Sequence, residues 1–485
     1  MHHGIPVTKK GSQDVFLASG DTPTSFGILF EQDRSQPSVE ALKKLAETMV
    51  EPPGPPTADL DSTQPAGFTF FGQFVDHDIT LSAGTPPDPD GVFDFSTVHN
   101  GRTPRLDLDS VFGTGPAYSD SAPLYDPATL RLRLGEGGFG PPAQEVAAAD
   151  LPEGASPSVS RTLGDPRNSE NLIIAQLHTV FMRLYNRFLG HTPGAAGDLA
   201  RYEAARRKTV QHYQHVVLND YLPRIAGRAA VDAAMLRDVP RYRHMVSQCP
   251  TKLIMPVEFA FAAFRFGHSQ VRGGYSLNMG TGGQPRGRRL FVPGDLDLNG
   301  SHPITEDARI NWDFFFELSE LSGDEPTVPR NFSRRFDAKL AGALANLKPP
   351  GIPDGTEPVL ATRNLLRGRA ACLPSGQAVA RAIGAVPLSN DQLGLETLDP
   401  AVREEIEAHT PLWYYVLREA EVVGGGKRLA GTGAYILAET FVGLLLHDEN
   451  SILNQPFTPE PGLETLAGIC ATVWPNRGRG PNDAD

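Results

Sequence analysis

Apolar residues along this chain recur at three- and four-residue spacings and almost nowhere alternate in twos. Ile173, Leu177, Phe181, Leu184 and Phe188 mark one face of a helix over 170–190, because 3.6 residues per turn brings such positions onto one side. Val210, Tyr213, Val217 and Tyr221 repeat the pattern over 201–225, and Leu42, Leu45 and Met49 over 39–50. An apolar run over 257–266 reads as a further helix, as do 363–369, 375–383, 401–408, 414–423 and 431–446. Proline- and glycine-rich clusters at 51–56, 84–91, 135–142, 193–197, 282–287 and 349–355 punctuate these helices. Residues 84–165 are loop-rich, with room for short strands only. The expected class is mainly α, with long loops and little β. Residues 1–59 read as an arm carrying one short helix, and 475–485 as a frayed polar tail.

One stretch breaks the apolar pattern in a way that points to chemistry. Phe70, Phe71, Phe74, Val75 and Ile79 call for burial of a segment that also carries Gln73, Asp76, His77 and Asp78. Ionised carboxylates are almost never buried without a partner, because desolvation costs too much. Either the segment binds a metal, a cofactor or an internal base, or its polar groups form a solvated helix edge.

Two further segments are unusual. Asp165-Pro166-Arg167-Asn168-Ser169-Glu170 precedes an apolar helix over 172–188. Asp165 or Ser169 can cap that helix, and Pro166 and Glu170 suit its first turn. Capping does not account for Arg167, a permanent cation with five donors. The run over 257–266 leads into Arg265-Phe266-Gly267-His268. A histidine there is most often a satisfied core residue, but it is also what a haem iron takes as a ligand. Arg265, nearby on the same run, suits a haem carboxylate. The three segments together offer an imidazole to hold an iron (His268) and a second imidazole to move a proton (His77). They also offer a cation to stabilise charge as an O–O bond breaks (Arg167).

Composition narrows the partners. The 485 residues carry a formal net charge of −13 and no Lys/Arg-rich run, which argues against a nucleic-acid partner. Cys249, Cys372 and Cys470 are far apart and show neither a zinc spacing nor a disulfide framework. The apolar stretches are interrupted and too short to span a bilayer. The first residues lack a basic region followed by an apolar one, so no classical export signal is expected. The compartment stays open between the cytoplasm and non-classical secretion.

The chain resembles the animal-type haem peroxidases of the peroxidase–cyclooxygenase superfamily, and most of all their bacterial branch. The resemblance is carried by Gly72–Asp78, Arg102–Gly113, Gly164–Glu170, Phe264–His268, Leu412–Tyr415 and Ala438–Leu445, in that order. It covers roughly 60–455, leaving 1–59 as an N-terminal arm and 456–485 as an extension. It implies a single large helical peroxidase domain. It also implies a haem b enzyme that reduces hydrogen peroxide through an oxyferryl compound I and oxidises halides, thiocyanate or small phenols.

Residue by residue, the resemblance makes His77 the distal acid–base and Arg167 the distal arginine, with Gln73 lining the distal pocket. His268 becomes the proximal iron ligand and Arg265 a propionate contact. Asp76 and Glu170 occupy the positions of the family's ester links to haem. The family's sulfonium link needs a methionine where Asn171 stands, so none is expected. The resemblance further implies a calcium ion held by Asp78, Thr103, Arg105 (through its carbonyl), Asp107 and Asp109, oxygen donors of the kind a hard cation takes. Asn331 is the candidate to orient the proximal histidine. The family's Arg-x-Arg-Asp-His element appears as Arg367-Gly368-Arg369-Ala370-Ala371, without its Asp-His. Two alternatives remain. One is a non-catalytic haem-binding scaffold. The other is a fatty-acid dioxygenase of the same fold, which needs a tyrosine where this chain has Arg265.

Overall fold

The computed structural model describes residues 24–51, 58–83, 91–93, 95, 98–145, 159–248, 254–280, 282–292, 297–347 and 357–474. The expected polar tail, Cys249 and the first 23 residues lie outside these. The class is mainly α, as the spacing of apolar residues requires. Strands are short and serve as ties between helical segments. Thr24–Gly27 pairs antiparallel with His99–Asn100 and parallel with Met255–Pro256, so this part of the expected arm is woven into the body. Asp61–Pro65 pairs with Phe332–Arg334, and Gly274–Met279 forms a hairpin with Pro285–Arg289. Among the described residues no helix is long and apolar enough to cross a membrane.

The segment around His77 is a helix, Gly67–Ile79, buried on most of its surface. It lies against helices Leu172–His191 and Leu199–Val216. Aromatic rings make the joint: Phe74 stacks on Phe181 with centroids 4.9 Å apart, and Tyr213 meets Phe181 edge-on at 5.6 Å. The expected helix over 201–225 is not uniform. It widens to a π-turn at Val217–Tyr221 before resuming at Leu222–Ala226. The turn brings Tyr221 against Phe71 at 5.4 Å. A Cβ at Gly72 would lie 2.4 Å from the Tyr221 hydroxyl, so only glycine fits there.

The helix expected over 172–188 starts at Leu172, and its cap is neither Asp165 nor Ser169. Asn171 Oδ1 accepts from the backbone N–H of Ile173 and Ile174. Asp165 instead caps the short 3₁₀ turn Pro166–Ser169, accepting from Arg167 N at 2.8 Å.

The run over 257–266 also differs from expectation. An α-helix holds Val257–Phe261, the chain bends at Ala262, and a 3₁₀ turn holds Ala263–His268. The bend frees carbonyls that need partners. Arg265 Nε donates to Ala260 O at 2.9 Å, and Trp413 Nε1 donates to Arg265 O at 3.1 Å. The tighter turn re-aims His268 toward helix Leu360–Ala370.

Candidate functional site

His77 is buried near the end of helix Gly67–Ile79, and its Nδ1 lies 2.9 Å from Asn168 Oδ1. Asn168 Nδ2 in turn lies 3.0 Å from His178 Nδ1. Burial pushes the His178 imidazole down to about 3, so that ring is neutral near pH 7. An amide oxygen only accepts, so His77 Nδ1 carries a proton, and in the neutral ring the lone pair is then on Nε2. Such an imidazole can take up a proton on Nε2.

Arg167 is buried and fixed on the same side. Its Nη2 donates to His77 O at 2.9 Å and to Asp165 Oδ2 at 2.7 Å, and its Nε lies 3.1 Å from Asp165 Oδ1. Arg102 also pairs with Asp165. Burial alone would raise the Asp165 carboxyl, but the two guanidiniums hold it far below the usual range. A cation locked this way keeps its charge and its place while charge develops beside it.

Gln73 sits one turn before His77. Its Nε2 donates to Glu170 Oε2 at 2.8 Å and its Oε1 accepts from Asn171 Nδ2 at 3.3 Å. The Asp76 carboxylate accepts from Thr80 Oγ1 at 2.8 Å. A Cβ on Gly300 would lie 1.7 Å from Ser169 O, so a bare backbone is needed where this strand clamps the 166–171 segment.

Asp78 points away from this side and into a carboxylate cluster. Oxygens of Asp78, Asp107 and Asp109 lie within 4.8 Å of one another. Leu108 N, Ser110 N and Ser110 Oγ donate to Asp78 at 3.2, 3.4 and 3.1 Å. Thr103 Oγ1 lies 3.5 Å from Asp107 and 3.4 Å from Asp109, while the Arg105 side chain is exposed. Burial, then Asp109 and Asp107, push Asp78 well above the usual carboxylate range. Burial also lifts Asp109 to about 7, against the pull of Arg102. Three mutually repelling carboxylates with a threonine hydroxyl make an oxygen-donor set suited to a hard cation. Arg102 joins this cluster to the Arg167 side, bonding Asp109 at 3.3 Å as well as Asp165.

On the other side, His268 Nδ1 lies 2.8 Å from Asn364 Nδ2. Asn331 does not take this position. Its amide accepts from Ser276 N at 3.0 Å and donates to Ser276 O and Phe314 O at 2.8 and 3.1 Å, tying the hairpin to the 3₁₀ turn Trp312–Phe314. The replacement of Asn331 by Asn364 is a matter of packing. Helix Leu360–Ala370 passes beside the re-aimed 3₁₀ turn, whereas residue 331 is spent on backbone groups.

Arg265 Nη1 donates to Asn364 Oδ1 at 3.0 Å. Arg265 and Arg367 lie close together deep in the protein, each keeping some accessible surface. Burial depresses both guanidiniums, and Arg265 beside it helps bring Arg367 down to about 9. Two neighbouring buried cations favour an anion between or beside them.

Sequence reasoning placed His77, Arg167, Gln73, Glu170, Asp76, His268 and Arg265 in the site, and the structure brings them to these two sides. It missed Asn168, His178, Asn364 and the role of Arg367. His178 carried a signal of its own as a lone histidine in an apolar helix. Asn168 lay inside the quoted Asp165–Glu170 run. Nothing local marked Asn364.

The family model for animal haem peroxidase matches residues 87–289. Thyroid peroxidase of Mus musculus is 32% identical over 303 residues, covering 57% of this chain and 29% of that protein. In each of the curated relatives considered, the matched stretch is a third of the length or less. Peroxidase A of Dictyostelium discoideum superposes with a TM-score of 0.63 at 17% identity, covering 95% of this chain and 97% of that one. The fatty acid alpha-dioxygenase of Oryza sativa superposes with a TM-score of 0.57 at 15% identity, over 93% and 79%. The solved structures agree in fold, and the matched residues carry the Arg167 and His268 segments. The chain belongs to the peroxidase–cyclooxygenase superfamily and carries its animal haem peroxidase signature.

Proposed function

We propose that the protein is a haem peroxidase that reduces hydrogen peroxide and oxidises small anionic or phenolic donors such as halides, thiocyanate and phenols. The observation that carries this reading is the bond from His77 to Asn168 Oδ1. It puts a ring proton on Nδ1, so that in the neutral imidazole the lone pair is on Nε2, next to a locked arginine. A non-catalytic scaffold has no use for that pair.

The residues fit a haem. Arg265 and Arg367 are neighbouring buried guanidiniums that would suit two carboxylates, His268 would offer an imidazole to the iron, and Gln73, Asp76 and Glu170 belong to the His77 side. Haem, when bound, supplies the redox-active iron at which the peroxide O–O bond is cleaved. His77 Nε2 takes the proton from the bound peroxide oxygen and returns it to the departing one. Arg167 holds its charge toward the oxygen that becomes negative, a service that costs no rearrangement because Asp165 has already fixed it. His268 would hold the iron through its imidazole, and Asn364 is the side chain set against its Nδ1. Asp76 and Glu170 are the carboxylates positioned for ester links, and Asn171, committed to capping, stands where a sulfonium would require methionine. Calcium is the cation proposed for Asp78, Thr103, Asp107 and Asp109, with the carbonyl of Arg105 completing the loop's donors. It would anchor the loop to the end of the helix that bears His77.

The dioxygenases share the fold, but a fatty-acid radical enzyme needs a phenol where Arg265 bonds Ala260 and Asn364. The test is rapid mixing of haem-loaded protein with one equivalent of hydrogen peroxide, followed by bromide, thiocyanate or a phenol. A Soret band that shifts and returns on adding a donor supports the reading, and a spectrum indifferent to peroxide overturns it. Asp76→Val with Glu170→Gln should make haem extractable by acidic acetone; equal retention in wild type and variant would remove the ester links.

A further inference from the structure

Asn168 stands between two buried histidines, and its amide satisfies both only in one matched arrangement of protons. Oδ1 faces His77 Nδ1 at 2.9 Å and Nδ2 faces His178 Nδ1 at 3.0 Å. A carboxamide oxygen accepts and never donates, while its nitrogen donates and never accepts. His77 Nδ1 must therefore carry a proton, and His178 Nδ1 must offer a lone pair. His178 meets the second condition because burial keeps it neutral. It sits in helix Leu172–His191, wedged edge-on against Phe74 at 6.2 Å, so it cannot swing away. Turning the amide end for end would require both rings to exchange their protons at once. The three groups thus behave as one unit with two states, and only the state seen here leaves His77 able to accept a proton at Nε2.

We infer that Asn168, oriented by His178, is the positioning residue that places the ring proton of His77 on Nδ1 and so frees Nε2 for the proton of the peroxide. The inference rests on the reading of His77 as the proton-transfer base. Without the amide oxygen, a neutral imidazole divides between its two tautomers and gains freedom to rotate. Both changes lower the fraction of molecules that present a lone pair in the right direction.

The experiment uses full-length, haem-loaded protein in stopped-flow mixing with three ligands. Hydrogen peroxide and hydrogen cyanide must each give up a proton as they bind, whereas nitric oxide has none to give. Asn168→Leu should slow association of the first two by about ten- to a hundredfold, part of the roughly 10²–10⁴-fold that a positioned base contributes, with nitric oxide unchanged. Asn168→Asp keeps an acceptor opposite Nδ1 and should recover most of the rate. His178→Phe removes the lone pair that orients the amide and should give a smaller loss with the same selectivity.

His77→Ala separates this inference from the reading beneath it. If that variant leaves the proton-dependent steps fast, His77 is not the base and both fall. If it slows them but Asn168→Leu and His178→Phe do not, only the positioning role falls. Slowing of nitric oxide to the same extent as cyanide would also overturn it, because that is what simple distortion of the pocket does. Should Asn168→Leu fail to hold haem, Asn168→Asp and His178→Phe decide by the same ligand contrast.

Discussion

His77 and His268 each rest Nδ1 on a buried asparagine, but the two asparagines are held in different ways. On the His77 side, Asn168 is gripped by a neutral histidine, and the arginine nearby is neutralised by Asp165. On the His268 side, Asn364 is gripped by Arg265, a cation with Arg367 next to it. The first arrangement is electrically closed, and each charge has its counter-charge in the protein. The second is open in that two buried cations lie side by side, and an anion added beside them lowers their repulsion. A proton-transfer group needs a field that does not change as it works, so it is built among paired charges. A face that takes an anionic ligand is served by clustered cations, because the bound anion then stabilises the folded protein.

The contrast can be broken most sharply at the two histidines. His77→Ala should retain haem and lose about 10²–10⁴-fold in the rate with hydrogen peroxide, the usual contribution of a positioned acid–base. His268→Ala should instead lose the histidine-ligated absorption spectrum. Absorption spectroscopy and stopped-flow mixing on the same preparations read both, and an exchange of these phenotypes would reverse the assignment of sides.

The next effect concerns the closed charge network. Asp165→Asn removes the carboxylate paired with the buried Arg167 and one of the two paired with Arg102. Breaking a buried pair by removing one partner costs about 3–5 kcal/mol, so urea unfolding should show a loss of that size. Asp165 also predicts a direction with pH. Its carboxyl is depressed below its ordinary 3.8, so its contribution is complete above that value and is lost only as the solution becomes strongly acid. Calcium chelation should act on the same side. It should lower the melting temperature and slow the peroxide reaction while leaving the iron–histidine stretch of His268 in place. A shift of that stretch with no change in the peroxide rate would contradict the placement of the cation site.

A smaller effect is expected at the open side. Asn364→Asp replaces the amide nitrogen that faces His268 Nδ1 with an acceptor oxygen and should raise the iron–histidine stretching frequency in resonance Raman spectra of the ferrous protein. Asn331→Asp should not shift it.

The smallest effect lies in the helix leading to His268. Glu258 accepts from Leu29 N and Phe30 N at 2.9 Å, and burial lifts its carboxyl from 4.5 to about 7. Between those values the folded protein holds a proton that the unfolded chain has released. Stability therefore falls as pH rises through that window, a pH response of opposite sign to that of Asp165. Glu258→Gln should flatten this slope in thermal unfolding measured at pH 5 and pH 8.

Much of this was legible in the chain because each signal was local. Apolar residues at helical spacing specify which face is buried, so the helices around the site and the mainly α class follow directly. His77, Arg167 and His268 stood out because polar side chains in apolar segments must have partners. The bend at Ala262 was not legible, because its freed carbonyls are satisfied by Arg265 itself and by Trp413 from another helix. Nor was the choice of Asn364 over Asn331. Position 364 is 96 residues from His268 in sequence, and only the docking of helix Leu360–Ala370 brings the two within 2.8 Å.

Residue types and their spacing thus decided which groups would be buried, and hence which would need partners. Tertiary packing decided which partners they received. A hydrogen bond depends on position to within a fraction of an ångström, and positions between distant segments are set by how helices dock. That is why the sequence pointed to a base, an arginine and an iron ligand, while only the folded chain showed Asn168 against His77, Asn364 against His268, and Arg367 beside Arg265.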